Sequence, residues 1–255
     1  MRLYTSTSCN MKNYCRLILL AFIFSSCGVY RQNVINTPML QKKGQLQAGV
    51  YEGFSGNEAQ ASYSVTDKVG ILANYNSPRS KKVVYAGLNY SETNHYFGEA
   101  GIGLFRPKKD SGNKIRELFL LVGNGMTSYY VQSDADSTGY IDKNFKQTRY
   151  NRFCLQGDLG KVSKHWGYAI SPRLFLINYY GTTDNKRPDM QNTSNTYMYM
   201  ECALTGRYTF ARYIIISSQI SLTLPTDNIS YYDFAPWNLS VGLAVNLNLL
   251  KKQKL

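Results

Sequence analysis

The chain has 255 residues, with 29 Lys and Arg against 16 Asp and Glu, yet charged residues make up only 18% of it while tyrosine reaches 22. Two histidines and five cysteines without a Cys-x-x-Cys pair exclude the common zinc frameworks. The excess of +13 gathers in turns and at the ends, not in one stripe beside aromatic residues, which excludes an ordinary nucleic-acid groove.

In chain order the first signal is an export segment. Met11, Lys12 and Arg16 form a short positive region, followed by the apolar run Leu17 to Phe24. That run is too short to span a bilayer, which takes about 20 apolar residues, so residues 1–26 read as a signal peptide with Met11 as the working start. Ser25-Ser26-Cys27-Gly28 then resembles the lipobox of bacterial lipoproteins, in which the cysteine is acylated and becomes the mature N-terminus. Cys9 and Cys15 fall in the removed segment, leaving Cys27, Cys154 and Cys202. An odd count in an exported protein requires one cysteine to be engaged otherwise, which a diacylglycerol and acyl chain on Cys27 would satisfy. No other cofactor is expected. Residues 27–43, with Pro38 and several Asn, Thr and Gln but no periodicity, read as a lipid-attached tether.

From residue 44 to 250 the pattern is that of strands bounded by Gly, Asn, Asp, Ser and Pro. They are expected near 45–54, 57–66, 69–77, 95–106, 114–131, 146–161, 166–180, 195–210, 213–224 and 236–249. The last is the clearest. Trp237, Leu239, Val241, Leu243, Val245, Leu247 and Leu249 alternate with Asn238, Ser240, Gly242, Ala244, Asn246 and Asn248. A period of two puts every large apolar side chain on one face, as in a strand with lipid outside and a polar lumen inside. Segment 81–91 fits a hairpin arm within the first long outer loop, with twelve spanning strands as the alternative to ten. Tight turns at 66–68, 106–113, 163–165 and 211–212 then share one end. The longer connections 78–94, 132–145, 181–194 and 225–235 share the other, as short periplasmic turns and long outer loops do. Residues 251–255 form a basic tail.

Charge follows the same division. Asp134, Asp136, Asp142, Asp184, Asp189, Asp227 and Asp233 lie in the outer loops, whereas Lys68, Arg106, Lys114, Lys161 and Lys164 lie at the periplasmic end. Contact with anionic headgroups and ordinary turn chemistry both explain the basic end.

With the apolar series facing lipid, Glu58, Gln60, Glu99, Glu117, Arg152, Gln156, Asp158, Arg173, Glu201 and Arg207 point into the lumen. On the lipid face an Arg near mid-membrane would cost about 2–4 kcal/mol. Inside a narrow barrel such groups can pair and plug it, or line a small gated pore. Gly101, Gly103, Gly123 and Gly125 could make room for bulky inward residues. Catalysis is not expected: His95 and Glu99 share a strand face but stand roughly 13 Å apart at about 3.3 Å per residue, and no nucleophile motif is present. The alternatives are a soluble lipoprotein barrel whose apolar face lines a ligand cup and, behind it, an outer-membrane lipid-modifying enzyme.

Asn36-Thr37-Pro38-Met39-Leu40, Lys43-Gly44, Ser62-Tyr63-Ser64-Val65-Thr66-Asp67 and Phe97-Gly98-Glu99-Ala100-Gly101-Ile102-Gly103, after a lipobox, resemble the small outer-membrane β-barrel lipoproteins of Bacteroidota. The resemblance implies an all-β, antiparallel up-and-down barrel in the outer membrane with a structural or porin-like role, surrounded by lipid. It carries over no catalytic or binding residue. Surface lipoproteins of that phylum resemble one another in an acidic cluster after the cysteine. Cys27 is followed instead by Gly-Val-Tyr-Arg-Gln-Asn, which implies a lipid anchor in the periplasmic leaflet.

Overall fold

The computed structural model describes residues 32–54, 56–77, 83–85, 89–107, 113–133, 143–186, 188, 194–210, 213–226 and 236–248. The segment expected to be a signal peptide, Cys27, most of the loop aspartates and the basic tail lie outside these residues. The strands are β1 (Gln45–Gly53), β2 (Gly56–Ser64), β3 (Val69–Ser77), β4 (Val83–Tyr85), β5 (Asn89–Phe105), β6 (Lys114–Ser133), β7 (Lys143–Val162), β8 (Trp166–Asp184), β9 (Asn195–Phe210), β10 (Ile214–Pro225) and β11 (Trp237–Asn248).

All pairings are antiparallel, and the sheet closes into a ring: β1 pairs with β11, and β3 pairs with β5 past β4. β4 pairs only with the start of β5, as a hairpin arm. Ten strands therefore form the wall. Closure leaves every strand of the wall with a neighbour on each side, which removes the edges that could not be satisfied in lipid.

The alternation of the sequence decides which way each side chain points. Leu118, Leu120 and Val122 on β6, Leu174 and Leu176 on β8, and Leu239, Val241 and Leu243 on β11 are all exposed on the outside. The side chains on the opposite phase are buried, and across the barrel more of the buried residues are polar than apolar, an inversion of the usual soluble core. On β8 this outward apolar series runs from Trp166 to Leu176. Ten residue steps at about 3.3 Å, tilted by about 45°, give a belt about 23 Å tall, close to the apolar band of outer-membrane barrels. Aromatic residues mark both borders, with Trp166, Tyr168, Phe210 and Tyr213 at the end of the short turns and Phe54, Tyr75, Tyr96 and Trp237 at the other.

Above the belt the outer face turns polar. Asn124 Nδ2 donates to Asn151 Oδ1 and to the Tyr180 hydroxyl, each at 2.9 Å, and Asn178 Nδ2 donates to Thr196 Oγ1 at 2.9 Å. The wall is uneven: β1, β2 and β3 have 9 residues each, whereas β6 and β7 have 20. One side of the barrel thus rises beyond the belt. β5 begins six residues before its expected start at 95, and β8 runs four beyond its expected end at 180.

Candidate functional site: the occupied lumen

The stretch expected to be a tether outside the barrel runs through its middle. Residues 32–40 are buried, and Leu40 and Gln32 have no exposed surface at all. The segment is extended but belongs to no strand, so its backbone donors and acceptors need partners other than a ladder. The lumen side chains supply them. Glu58 accepts from the Val34 amide at 2.6 Å, and Gln60 Nε2 donates to the Val34 carbonyl at 2.8 Å. Gln219 accepts from the Ile35 amide at 2.7 Å and donates to the Ile35 carbonyl at 2.9 Å. Gln156 donates to the Asn36 carbonyl at 2.8 Å, while Arg207 donates to the Pro38 carbonyl at 3.1 Å and also to the Thr37 carbonyl. Glu117 accepts the amides of Met39 and Leu40, at 3.2 and 2.5 Å.

At the base the chain must reverse to enter β1. Met39 takes a left-handed φ of 53° and Gly44 one of 77°. For a non-glycine residue this costs about 1–2 kcal/mol, and the Glu117 carboxylate bridging the Met39 and Leu40 amides holds the reversal in place. Below it, Leu40 packs with Leu72, Phe105 and Phe119, and Met39 with Ile115 and Ala169, forming an apolar floor.

The structure places Glu58, Glu99, Glu117, Arg152, Asp158, Arg173, Glu201 and Arg207 in the lumen, all buried. Apart from Asp158, they divide into two groups. Glu58, Glu117 and Arg207 grip the N-terminal segment. Glu99, Arg152, Arg173 and Glu201 form a network on the wall of β5 to β9: Arg152 to Glu99 at 2.7 Å, Arg173 to Glu99 at 3.4 Å and Arg173 to Glu201 at 3.8 Å. Asp158 accepts from Gln156 at 2.9 Å, which itself accepts from Arg173 Nε at 2.7 Å. Asn74 joins the groups, donating to Glu99 at 2.8 Å and accepting from Asn36 at 2.8 Å.

Two glycines of β6 make contacts across that strand possible. Gly123 is the register partner of both Glu99 on β5 and Arg152 on β7, so the ion pair passes over a residue without a side chain. Gly125 is the partner of both Phe97 and Tyr150, whose rings stack at 5.7 Å above it. Arg152 lies over Phe97 with its guanidinium carbon 4.0 Å from the ring centre, which joins the charged layer to the aromatic one. His95 stacks on the same rings and bonds the Tyr150 hydroxyl at 2.5 Å, not Glu99.

Beside the segment a cavity of about 10 Å³, lined by Ile35, Thr37, Tyr51 and Arg207 among others, has room for about one water. Cys154 is buried inward on β7 and Cys202 exposed outward on β9, with β8 between them, and both are free. Sequence reasoning missed the segment itself, as well as Gln219, Asn74 and Ser171, whose hydroxyl meets that of Thr37 at 2.9 Å. The available signal was that Gln32 to Gln41 is a charge-free stretch between Arg31 and Lys42.

No family model and no curated protein matches the sequence. Among solved structures, the chain is similar to the translocator domain of the autotransporter NalP from Neisseria meningitidis, with 10% identity over 92% of this chain and 96% of that one, at a TM-score of 0.48. It is also similar to the beta domain of the Bordetella autotransporter BrkA, with 11% identity over 79% and 97% and a TM-score of 0.36. Acinetobacter baumannii CarO follows with 9% identity over 79% and 96% and a TM-score of 0.32. Function has to be read from this chain's own lumen and surface.

Proposed function

We propose that the protein is a lipid-anchored outer-membrane β-barrel of the Bacteroidota kind it resembles, acylated on Cys27, with a structural role and a lumen held shut by its own residues 32–41. The observation that carries the reading is the buried course of that segment, with backbone groups of Val34, Ile35, Met39 and Leu40 met by side chains of the wall. An apolar belt with aromatic borders supports insertion into a membrane. The grouping of short turns at one end and long connections at the other supports a periplasmic end and an outer end.

The apolar-ligand cup is not supported, because Leu239 to Leu247 face outward and residues 32–40 occupy the middle of the barrel. The reading includes no catalytic role: His95 is committed to Tyr150 and His165 sits exposed in a turn. Reconstitution in planar bilayers tests the proposal. The intact protein should not conduct, whereas deletion of residues 32–41 should give discrete channels. Large, long-lived channels from the intact protein would overturn it. Should the deletion fail to fold, the intact protein still decides.

A further inference from the structure

The direction in which the segment runs determines where the N-terminus emerges. Gln32 Nε2 donates to the Pro236 carbonyl at 2.7 Å and Ser221 Oγ donates to Gln32 Oε1 at 2.9 Å, which puts Gln32 level with the start of β11 and the last residues of β10. This is the end of the long connections. Leu40 lies at the opposite end, close to Gly70, Phe105 and Phe119, beside the short turns. Read from N to C, the segment thus descends the lumen from the loop end to the turn end, and β1 climbs back beside it.

We infer that the N-terminus leaves the barrel at the cell surface and that the lipid on Cys27 seats its acyl chains in the outer leaflet of the outer membrane. The inference rests on the proposed reading of the barrel, with the long loops outside and Cys27 acylated.

Reach decides between the leaflets. Five residue steps separate Cys27 from Gln32, and five steps fully extended span at most about 18 Å. From the level of Gln32 the belt continues down β11 from Trp237 to Leu247. Ten steps at about 3.3 Å and about 45° of tilt make that descent about 23 Å. The periplasmic leaflet is therefore out of reach even for a straight chain. The route is also closed. Inside, residues 32–41 already fill the lumen; outside, a single strand descending through hydrocarbon would leave its backbone groups unpaired, at several kcal/mol each.

The outer leaflet begins beside the rim where Gln32 sits, at the level of Trp237. That placement departs from the periplasmic leaflet expected from the missing acidic cluster after Cys27.

A protease-access experiment on intact cells tests this. One short sequence-specific protease site is inserted after Val29 in the full-length, exported protein, and two reference proteins carry the same site in the 185–194 loop or the 106–113 turn. The expected result is cleavage at Val29 and in the loop, with the turn cut only after permeabilisation. The small acyl-labelled peptide should separate from a barrel that keeps its heat-modifiable migration. A loop that is cut while the Val29 site needs permeabilisation would overturn the inference and leave the barrel reading standing. A turn that is cut while the loop is spared would overturn the barrel's orientation, and the inference with it. Should the insertion disturb folding, Arg31→Cys replaces it, read by a membrane-impermeant maleimide on intact cells. Labelling supports the inference, and labelling confined to permeabilised cells refutes it.

Discussion

Gln219 holds Ile35 by both sides of its residue, accepting from the Ile35 amide at 2.7 Å and donating to the Ile35 carbonyl at 2.9 Å. One side chain thus imitates a strand partner for a segment that has none. Replacing Gln219 with Ala should strand both backbone groups in a dry lumen, at about 1–3 kcal/mol for each. The folded band of Gln219→Ala should convert to the unfolded one at a clearly lower temperature than wild type. Ser218→Ala, one residue away on the outer face, serves as the control and should be close to neutral.

The ion network offers a second prediction. Glu99 is shared by Arg152 and Arg173, so Glu99→Gln leaves two buried guanidinium groups short of counter-charge and should cost about 3–5 kcal/mol. Adding Arg152→Gln should return part of that loss. Urea unfolding of the two single variants and the double variant in lipid vesicles gives the coupling directly. Strictly additive losses would show that the pair contributes nothing as a pair.

Depth on the lipid face can be checked on one strand. Leu120 and Ser128 both point outward from β6, Leu120 within the apolar belt and Ser128 above it, beyond the polar row at Asn124. Leu120→Arg should cost about 2–4 kcal/mol and reduce membrane assembly, while Ser128→Arg should be tolerated, because the penalty falls to about 0–1 kcal/mol outside the hydrocarbon. Equal yields of heat-modifiable protein from the two variants would place the belt elsewhere.

A fourth prediction concerns space. A Cβ added at Gly125 would stand 2.4 Å from Tyr150 Cζ, inside the Phe97–Tyr150 stack. Gly125→Ala should cost about 1–3 kcal/mol through overpacking and weaken the near-ultraviolet dichroism of the stacked rings. Gly206→Ala, whose added carbon would meet only Ser218 Oγ at 3.7 Å, should change neither.

The wall was legible in the sequence because a spanning strand carries its own record. Leu239, Val241 and Leu243 must meet lipid, Asn238, Ser240 and Gly242 must not, and a period of two leaves one phase only. The inward phase of Glu58, Arg152 and Arg207 comes from the same rule. Where β5 and β8 rise above the belt, lipid no longer demands that half of the residues be apolar, so the first residues of β5 and the last of β8 read as loop. Residues 32–41 left no periodic trace at all. Their backbone is satisfied by Gln60, Gln156, Gln219, Glu58, Glu117 and Arg207, which are far apart in sequence, so nothing local to the segment marks it as ordered. Gly123 and Gly125 could be read as making room, but which rings and charges they admit depends on the register of β5 and β7.

The seam between β1 and β11 joins the first strand of the wall to the last, and β1 continues directly from the segment it encloses. The fold is therefore a lasso: a loop of chain drawn shut around its own leading end. An acylated Cys27, as proposed above, would put fatty chains on that end, and a lumen packed around buried residues 32–40 is no route for them. On that proposal the expected order of assembly has the leading end laid across an open sheet and the β1–β11 seam zipped last. Once zipped, the leader is retained mechanically as well as by its hydrogen bonds, and it can be released only by cutting it or by reopening the seam.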